Sequence, residues 1–187
     1  MTAIRIRRLL PGDSLEDLTG MLRRAFAPLG GRGLNCTCVE QTVDMTRRRI
    51  RLGDCFVAIR EDRVVGTITL HAADRASPVR WYRGPKVASI HQLAVDPGHQ
   101  GTGVGQALLW TAETWARSRQ YLELALDTPE PAGHLHAYYG RRGFRLMDTV
   151  QLEGKSYHSV ILSKTIGYPV SSARSDHWPA QHSAAMA

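Results

Sequence analysis

Cysteine is scarce in this sequence, and the few cysteines fit no common covalent or metal-binding framework. The three that occur, Cys36, Cys38 and Cys55, are an odd number and lack the Cys-x-x-Cys spacing of zinc sites. No apolar run approaches the length that crosses a bilayer, and the first residues lack the apolar centre of a secretory leader. The sequence therefore predicts a cytoplasmic protein with reduced thiols, no bound metal and no membrane partner.

Aromatic residues are also few, at 7% of the 187 residues, and the charge is one-sided, with a formal net charge of +7. A basic surface attracts anionic ligands or partners. Because no aromatic-and-glycine signature of nucleic-acid binding accompanies this charge, we do not expect a nucleic-acid partner. A hydrophobic fraction of 43% in a chain of this length predicts one domain with a proper core.

The glycine-rich stretch 100–105 is the most informative part of the chain. It follows a strand-like segment, 88–95, and precedes a segment from Val104 onward in which apolar residues recur at helical spacing. Glycine lets a backbone approach a ligand closely, and the free N–H groups of a helix's first turn attract anions. The stretch therefore predicts either a site for a phosphate-bearing ligand or a tight strand-to-helix turn without one.

Two better-known phosphate loops do not fit this stretch. The nucleoside-triphosphate loop ends in Gly-Lys-Ser or Gly-Lys-Thr, and no lysine is present here. The dinucleotide fingerprint requires glycine at the position of Gln106. Neither class of nucleotide-binding protein is predicted.

The first part of the chain predicts a strand and two helices. A strand near Ile4 precedes a helix that Asp13 caps and Pro28 ends. A second helix begins at the capping-box residue Thr37 and ends near Gly53. Its three consecutive arginines, 47–49, predict a solvated basic face, and a role in steering an anionic cofactor is the alternative.

The remaining elements complete a mixed α/β pattern. Two β-rich segments form an antiparallel hairpin, and the long polar stretch 72–86, with Trp81 and Tyr82, favours a loop at the rim of a site. After the glycine stretch come a strand, a short helix and a closing hairpin. The order predicts one α/β domain over residues 1–166, followed by a C-terminal tail, 167–187, that is disordered or docked.

Two motifs in this order resemble the GCN5-related N-acetyltransferase (GNAT) family, which uses acetyl-coenzyme A. The family's acyl-CoA signature is Gln/Arg-x-x-Gly-x-Gly/Ala, placed after a Leu-x-Val strand and before paired leucines, and the sequence from Leu93 to Leu109 matches it. Downstream, Tyr138-Tyr139 and Gly143-Phe144 match a second family motif. The resemblance implies a single-domain, mostly antiparallel sheet flanked by helices, with a central strand, glycine-rich turn and helix.

The resemblance also implies how the cofactor is held. Backbone groups of the strand pair with the pantetheine arm, and the amides of the glycine-rich turn hold the pyrophosphate. The residues implied to contact acetyl-CoA are Leu93, Ala94, Val95, Gln100, Gly101, Thr102, Gly103, Val104, Gly105 and Gln106. An asparagine that relatives often use for the cofactor is replaced here by Ala132.

Catalytic roles follow from the same resemblance and from the chemistry of a thioester. Tyr139 is the candidate acid that protonates the leaving thiolate. Many relatives carry a glutamate base at the position of Ser89, and serine is a poor base at neutral pH. His91 lies two residues on, on the same face of the strand, and imidazole titrates near neutrality. His91 is therefore the candidate base; a packed histidine beside an ordered water is the alternative.

The leading hypothesis is an enzyme that transfers an acetyl group from acetyl-CoA to a primary amine of a small molecule by direct attack on the thioester. Acetylation of protein N termini or lysines is the alternative among enzymes. A non-catalytic domain that senses acyl-CoA is the alternative from another class, and a nucleic-acid-binding protein is more distant. The sequence identifies no acceptor, and it leaves a homodimer open.

Overall fold

A seven-stranded sheet is the centre of the protein, whose computed structural model describes residues 3–167. The strands are β1 (Arg5–Arg8), β2 (Asp54–Arg60), β3 (Arg63–His71), β4 (Val87–Val95), β5 (Glu123–Pro129), β6 (Arg145–Gln151) and β7 (His158–Thr165). The α-helices are α1 (Leu15–Gly30), α2 (Val43–Ile50), α3 (Val104–Ser118) and α4 (Gly133–Gly140). The strand order is β1-β2-β3-β4-β5-β7-β6, and every neighbouring pair is antiparallel except β4 with β5. The predicted mixed α/β fold with a mostly antiparallel sheet is confirmed.

Helices α1 and α3 cover opposite faces of the sheet. On β2, Ala58 packs in the cluster that contains Leu108 of α3, whereas its neighbour Val57 packs in the cluster that contains Leu22 of α1. Successive side chains of a strand point to opposite faces, so the two helices lie on the two sides. Leu22 and Leu108 are fully buried, and burying such a side chain contributes about 1.5–3 kcal/mol.

Strands β4 and β5 pair only over their first halves. The pairs are Val87 with Glu123, Ala88 with Leu124 and Ser89 with Ala125. Beyond Ser89, no further pair joins the two strands within the described part of the chain. The main chain from 90 to 95 therefore has an unpaired side toward β5, and the strands diverge around a gap.

A β-bulge interrupts β4 at Gln92. Thr69 of β3 lies opposite His91 and Thr67 lies opposite Ala94, so β4 carries one residue more than β3 between these pairs. Gln92 has a φ of 51°, in the left-handed region that residues other than glycine seldom adopt. Because a bulge bends its strand and redirects its side chains, this one helps to turn the second half of β4 away from β5.

The ends of α1 differ from the prediction. Ser14, not Asp13, caps the helix, because its Oγ accepts a hydrogen bond from the N–H of Asp17 at 3.0 Å. Asp13 forms an ion pair with Arg7 at 2.6 Å, and the hydrogen bonds from that guanidinium lower the pKa of Asp13. The carboxylate is thus held by β1 rather than by the helix. At the other end, Pro28 lies within the last turn rather than after it.

The second predicted helix begins later than its capping-box motif indicates. Thr37 starts only a short 3₁₀ turn, and α2 begins after Thr42, whose Oγ1 accepts a hydrogen bond from the N–H of Met45 at 3.2 Å. Gln41, between the two turns, is fully buried, and its Nε2 donates to Thr46 Oγ1 at 2.8 Å. This buried amide draws the chain inward, so one continuous helix does not form.

The predicted C-terminal tail, including Trp178, lies outside the described residues except for Gly167. The last strand, β7, ends at Thr165, close to the predicted domain boundary. Across residues 3–167, no helix combines the length and apolar character that crossing a membrane requires.

Candidate active site

A cleft of about 650 Å³ occupies the gap between the diverging strands β4 and β5. Its walls also include residues of α1, α4 and the loops near 36–38 and 155–157. The predicted site residues that line it are His91, Leu93, Ala94, Val95, Gln100, Gly101, Gly105 and Tyr139. Thr102, Gly103, Val104 and Gln106 lie outside the lining. The fold thus brings most of the predicted site residues to one cavity.

The glycine-rich turn places two glycines with positive φ angles directly before the N terminus of α3. Gly101 and Gly103 have φ angles of 73° and 89°, and a Cβ at either position would meet open space. The first N–H groups of α3 have no carbonyl partner within the helix, and they carry the positive end of its dipole. Gln100 ties the turn to the end of β4, because its Nε2 donates to the carbonyl of Val95 at 3.2 Å.

Helices α3 and α4 meet in a close contact at this end of the cleft. A Cβ on Gly105 would lie 2.6 Å from Tyr138 Oη, so the ring must move if any other residue stands there. The Arg142 guanidinium lies 3.6 Å from the centre of that ring, and its buried Nε has no partner among residues 3–167. Arg141 and Arg142 both line the cleft, so the end beside the glycine turn is cationic.

Tyr139 lines the cleft with 8% of its surface exposed. Its ring packs edge-on against Tyr138 and Phe144, at centroid distances of 5.2 and 5.6 Å. No side chain or carbonyl of the described chain hydrogen-bonds its hydroxyl. Burial raises the pKa of Tyr139 above its usual value, so the phenol keeps its proton at neutral and mildly alkaline pH. The hydroxyl is therefore protonated and has no hydrogen-bond partner in the described residues.

His91 contacts three neighbouring side chains. Its Nε2 lies 2.9 Å from Ser89 Oγ, its ring stacks on His71 at 4.0 Å, and Tyr82 meets it edge-on at 5.8 Å. The placement of Ser89 and His91 on one face of the strand is therefore confirmed. Burial, with His71 and Arg49 nearby, lowers the pKa of His91 to about 3. The ring is neutral at pH 7 but a much weaker base than the near-neutral imidazole expected from the sequence.

The other end of the cleft holds charged side chains that no sequence motif marks. Asp127 on β5 accepts a hydrogen bond from Tyr82 Oη at 3.0 Å, so Tyr82 of the 72–86 loop reaches inside the fold rather than forming only a rim. Arg49 of α2 and Lys155 of the closing hairpin also line the cleft. Burial raises the pKa of Asp127, and the positive charges of Arg49 and Lys155 oppose that rise. Arg49 is half-buried, in contrast to the expected solvated face.

Sequence offered only weak signals for these residues. Asp127 is an acidic residue near the end of an otherwise apolar strand, and Arg49 is one arginine in a run of three. Either pattern is common at a solvated surface. Only the fold shows that the two side chains share a cavity.

Two loops far apart in sequence close this end of the cleft, and we call residues 33–37 and 153–157 together the strap. Asn35 Nδ2 donates to the carbonyl of Gly154 at 2.7 Å, and the N–H of Ser156 donates to Asn35 Oδ1 at 3.0 Å. Lys155 Nζ donates to the carbonyl of Asn35 and to Thr37 Oγ1, both at 2.9 Å. The strap holds the Lys155 ammonium at the wall of the cleft.

The three cysteines have the properties of packed thiols. Cys36, Cys38 and Cys55 are buried and unbridged. Burial raises the pKa of each thiol, so all three are protonated at neutral pH and are poor nucleophiles. Within residues 3–167, no cluster of three or more His, Cys, Asp or Glu side chains is placed to hold a metal ion.

Comparison with known proteins points to one family. A protein-family model described as the acetyltransferase (GNAT) family matches residues 33–144. The chain is 28% identical over 162 residues to the S-(2-succino)cysteine N-acetyltransferase of Bacillus subtilis (strain 168), covering 85% of this chain and 94% of the relative. It is 32% identical to an aminoglycoside N(6')-acetyltransferase type 1 of Stenotrophomonas maltophilia, covering 74% of this chain and 72% of that one.

A solved structure shows the same fold. The crystal structure of a GNAT family acetyltransferase from Elizabethkingia anophelis with acetyl-CoA bound superposes with a TM-score of 0.63 at 16% identity, covering 87% of this chain and 97% of the other. The segment that matches the family model covers more than half of the chain and includes β4, the glycine-rich turn and Tyr139. The protein therefore belongs to the GNAT family of N-acetyltransferases.

Proposed function

We propose that this protein transfers an acetyl group from acetyl-CoA to a primary amine of a small molecule. One observation carries the proposal: a single cleft joins a glycine-rich turn at a helix N terminus, an unpaired strand edge and a buried phenol beside charged side chains. The parts of a CoA thioester follow the same order, with a pyrophosphate, an amide-bearing arm and a reactive carbonyl. The cleft therefore has a chemical partner for each part of that molecule.

The residues present fit acetyl-CoA at both ends of its long arm. The open space at Gly101 and Gly103 leaves room for phosphate oxygens beside the turn's N–H groups. The buried, unpartnered Arg142 Nε supplies a further donor at the same end. Along β4, the main chain of Leu93 and the N–H of Val95, which pair with no residue of β5, can bond the amides of the pantetheine arm as an added strand would. The related structure from E. anophelis holds acetyl-CoA, which supports the same ligand here.

The reaction needs two proton movements around a new bond. The amine nitrogen attacks the thioester carbonyl carbon, so that an N–C bond forms and the C–S bond breaks. The departing sulfur takes the proton of Tyr139 Oη, and the proton lost by the nitrogen passes through water to restore that phenol. His91 is neutral at pH 7 and accepts this proton only in transit, since its low pKa makes it a weak base.

The strap favours a small acceptor over a peptide. The hydrogen bonds between its two loops close the cleft opposite the glycine turn, where a peptide acceptor would need an open groove. The two curated relatives are named for S-(2-succino)cysteine and aminoglycosides, both small molecules. These points favour a small-molecule amine over a protein substrate.

The test combines binding and turnover. Acetyl-CoA should raise the melting temperature of the protein, because a ligand at 100 times its Kd stabilises the folded state by about 2.7 kcal/mol. Thiol release should follow when a panel of amino acids, polyamines, aminoglycosides and peptides is added. Binding without release for any amine would favour the acyl-CoA sensor, and absence of both would refute the proposal.

A variant of the turn sharpens the test. Gly103→Ala places a side chain at a φ of 89°, which costs about 1–2 kcal/mol and displaces the amides of the turn. We expect acetyl-CoA affinity to fall about tenfold or more. Gly12→Ala is the matched control, because a Cβ there meets nothing within 4 Å and the residue lies outside the cleft. Equal affinities in both variants would remove the turn from the cofactor site.

We further propose a cytoplasmic location, which agrees with the three buried, unbridged cysteines. A homodimer stays a prediction, and sedimentation of the full chain tests it.

A further inference from the structure

Three charged side chains at the strap end of the cleft have no ion-pair partner among residues 3–167. They are Arg49, Lys155 and Asp127, and all three line the cleft. Arg47, on the same helix as Arg49, pairs with Asp44 in contrast. A half-buried charge that faces a cavity without a counter-ion loses solvation without compensation. A ligand of opposite charge would restore that compensation.

Arg49 is fixed in place by neutral groups. Its Nη1 donates to Gln41 Oε1 at 2.8 Å and to Cys38 Sγ at 3.3 Å. Since a guanidinium carries five N–H donors, this arrangement leaves donors free for a planar acceptor. A carboxylate matches that geometry with two parallel hydrogen bonds.

Lys155 is the second cation of this end. Its two hydrogen bonds to the strap, at the Asn35 carbonyl and Thr37 Oγ1, use two of its three ammonium protons. The positive charges of Lys155 and Arg49 both oppose the rise in pKa that burial causes at Cys38 and at Asp127. The two positive charges therefore lie close to the same groups in the cleft, although Arg49 belongs to helix α2 and Lys155 to the closing hairpin.

Asp127 supplies the negative charge. Tyr82 Oη donates to its Oδ1 at 3.0 Å, and no other side chain of the described residues donates to the carboxylate. The residue lies on β5 just beyond the last pair with β4, Ser89 with Ala125. Its free oxygen is thus available for an amine near the point where the strands diverge.

We propose that the acceptor is an amine that carries a carboxylate close to its amino group, as an amino acid does. The carboxylate lies against Arg49 and Lys155, and the amino group lies on the side of Asp127, toward Tyr139. This proposal rests on the proposed function. It excludes polyamines as good acceptors, because a second ammonium would lie against the two cations. It also excludes peptides that are acetylated at an N terminus, whose first carboxyl group is an uncharged amide.

The experiment compares three molecules that share one side chain: methionine, methioninamide and 3-(methylthio)propylamine. To measure binding, each molecule is added to the protein with coenzyme A, and the melting temperature or the heat of binding is recorded. In turnover, each is added with acetyl-CoA, and thiol release gives kcat/KM. We expect the amino acid to exceed the other two by about ten- to a hundredfold in affinity and in kcat/KM, the effect of a charge-assisted hydrogen-bond pair.

Variants of Arg49 and Lys155 test whether these two side chains cause the preference for the amino acid. Arg49→Gln and Lys155→Gln should each remove most of the preference for the acid, through KM rather than kcat, and leave coenzyme A binding unchanged. Arg48→Gln is the matched control, because that side chain is exposed on the same helix and does not line the cleft. Arg49→Lys should restore part of the preference, which a purely structural role of Arg49 would not predict.

The outcomes separate this inference from the proposed function. Preferential binding of the acid without thiol release would support the carboxylate site and refute acetyl transfer. Thiol release with the amide or the amine at rates equal to the acid would support acetyl transfer and refute the carboxylate site. Arg49→Gln and Lys155→Gln variants that keep the full preference would also refute it.

Discussion

Removal of the Tyr139 hydroxyl tests the proposed chemistry most directly. Tyr139→Phe deletes one oxygen and leaves the ring, so the edge-on contacts with Tyr138 and Phe144 at 5.2 and 5.6 Å remain. The hydroxyl has no hydrogen-bond partner in residues 3–167, so its loss leaves no buried group unsatisfied. We therefore expect the free energy of unfolding to change by no more than about 1 kcal/mol.

The effect on turnover should be much larger. A positioned proton donor contributes about 10²–10⁴-fold to the rate, which corresponds to about 2.7–5.4 kcal/mol of the barrier. The loss should appear in kcat, because the hydroxyl acts on the departing sulfur and not on the bound pyrophosphate. Coenzyme A affinity should stay within about twofold of the unmodified protein, since ring packing is kept.

The pH dependence of the unmodified enzyme gives a second readout. Burial raises the pKa of Tyr139 above its ordinary value of about 10. The phenol is therefore protonated throughout the range below pH 10, and any loss of rate at alkaline pH below that value must come from another group.

The assay is thiol release at saturating acetyl-CoA, with a melting curve for each variant. Tyr138→Phe is the matched control, because it removes the hydroxyl of the neighbouring tyrosine. The ring of Tyr138 packs against the Arg142 guanidinium, 3.6 Å from the ring centre. If Tyr139→Phe keeps kcat within twofold, or if Tyr138→Phe loses as much, Tyr139 is not the acid.

Two further predictions concern stability. His91 has a pKa of about 3 in the folded protein and about 6.5 when unfolded, so the stability linked to it is present above pH 6.5 and is lost as the pH falls toward 3. His91→Gln should flatten the fall in urea-unfolding free energy between pH 6.5 and 4, whereas the exposed His134→Gln should not; identical slopes would show that His91 titrates normally. Leu108→Ala, at a fully buried position of α3, should lower the unfolding free energy by about 2–5 kcal/mol and leave the coenzyme A affinity of the folded protein unchanged, and a loss below 1 kcal/mol would contradict the packing of α3 on the sheet.

The part of the site that sequence predicts well is the part set by local backbone chemistry. Gly101 and Gly103 adopt positive φ angles that glycine alone takes easily. The strand before them and the helix after them are marked by side-chain periodicity. His91 lies beside Ser89 because both are on one strand. All of these relations span fewer than twenty residues.

The part that sequence does not predict depends on tertiary contacts. Asp127 and Arg49 belong to elements that meet only when β5 and α2 pack around the cleft. The pKa of His91 depends on burial and on His71 of the neighbouring strand. The cap of α1 also depends on a contact outside the helix, because Arg7 forms an ion pair with the carboxylate of Asp13. Local sequence patterns predict none of these tertiary contacts.

The unpaired side of β4 also bears on aggregation. A strand edge with free N–H and C=O groups is a template for another chain, and proteins protect such edges. Here the free edge faces inward, in a gap walled by residues of α1 and α4. At the outer edge of the sheet, β1 has only four residues, three of them arginine. The protein can thus keep main chain ready for a strand-like ligand without exposing that edge to another copy of itself.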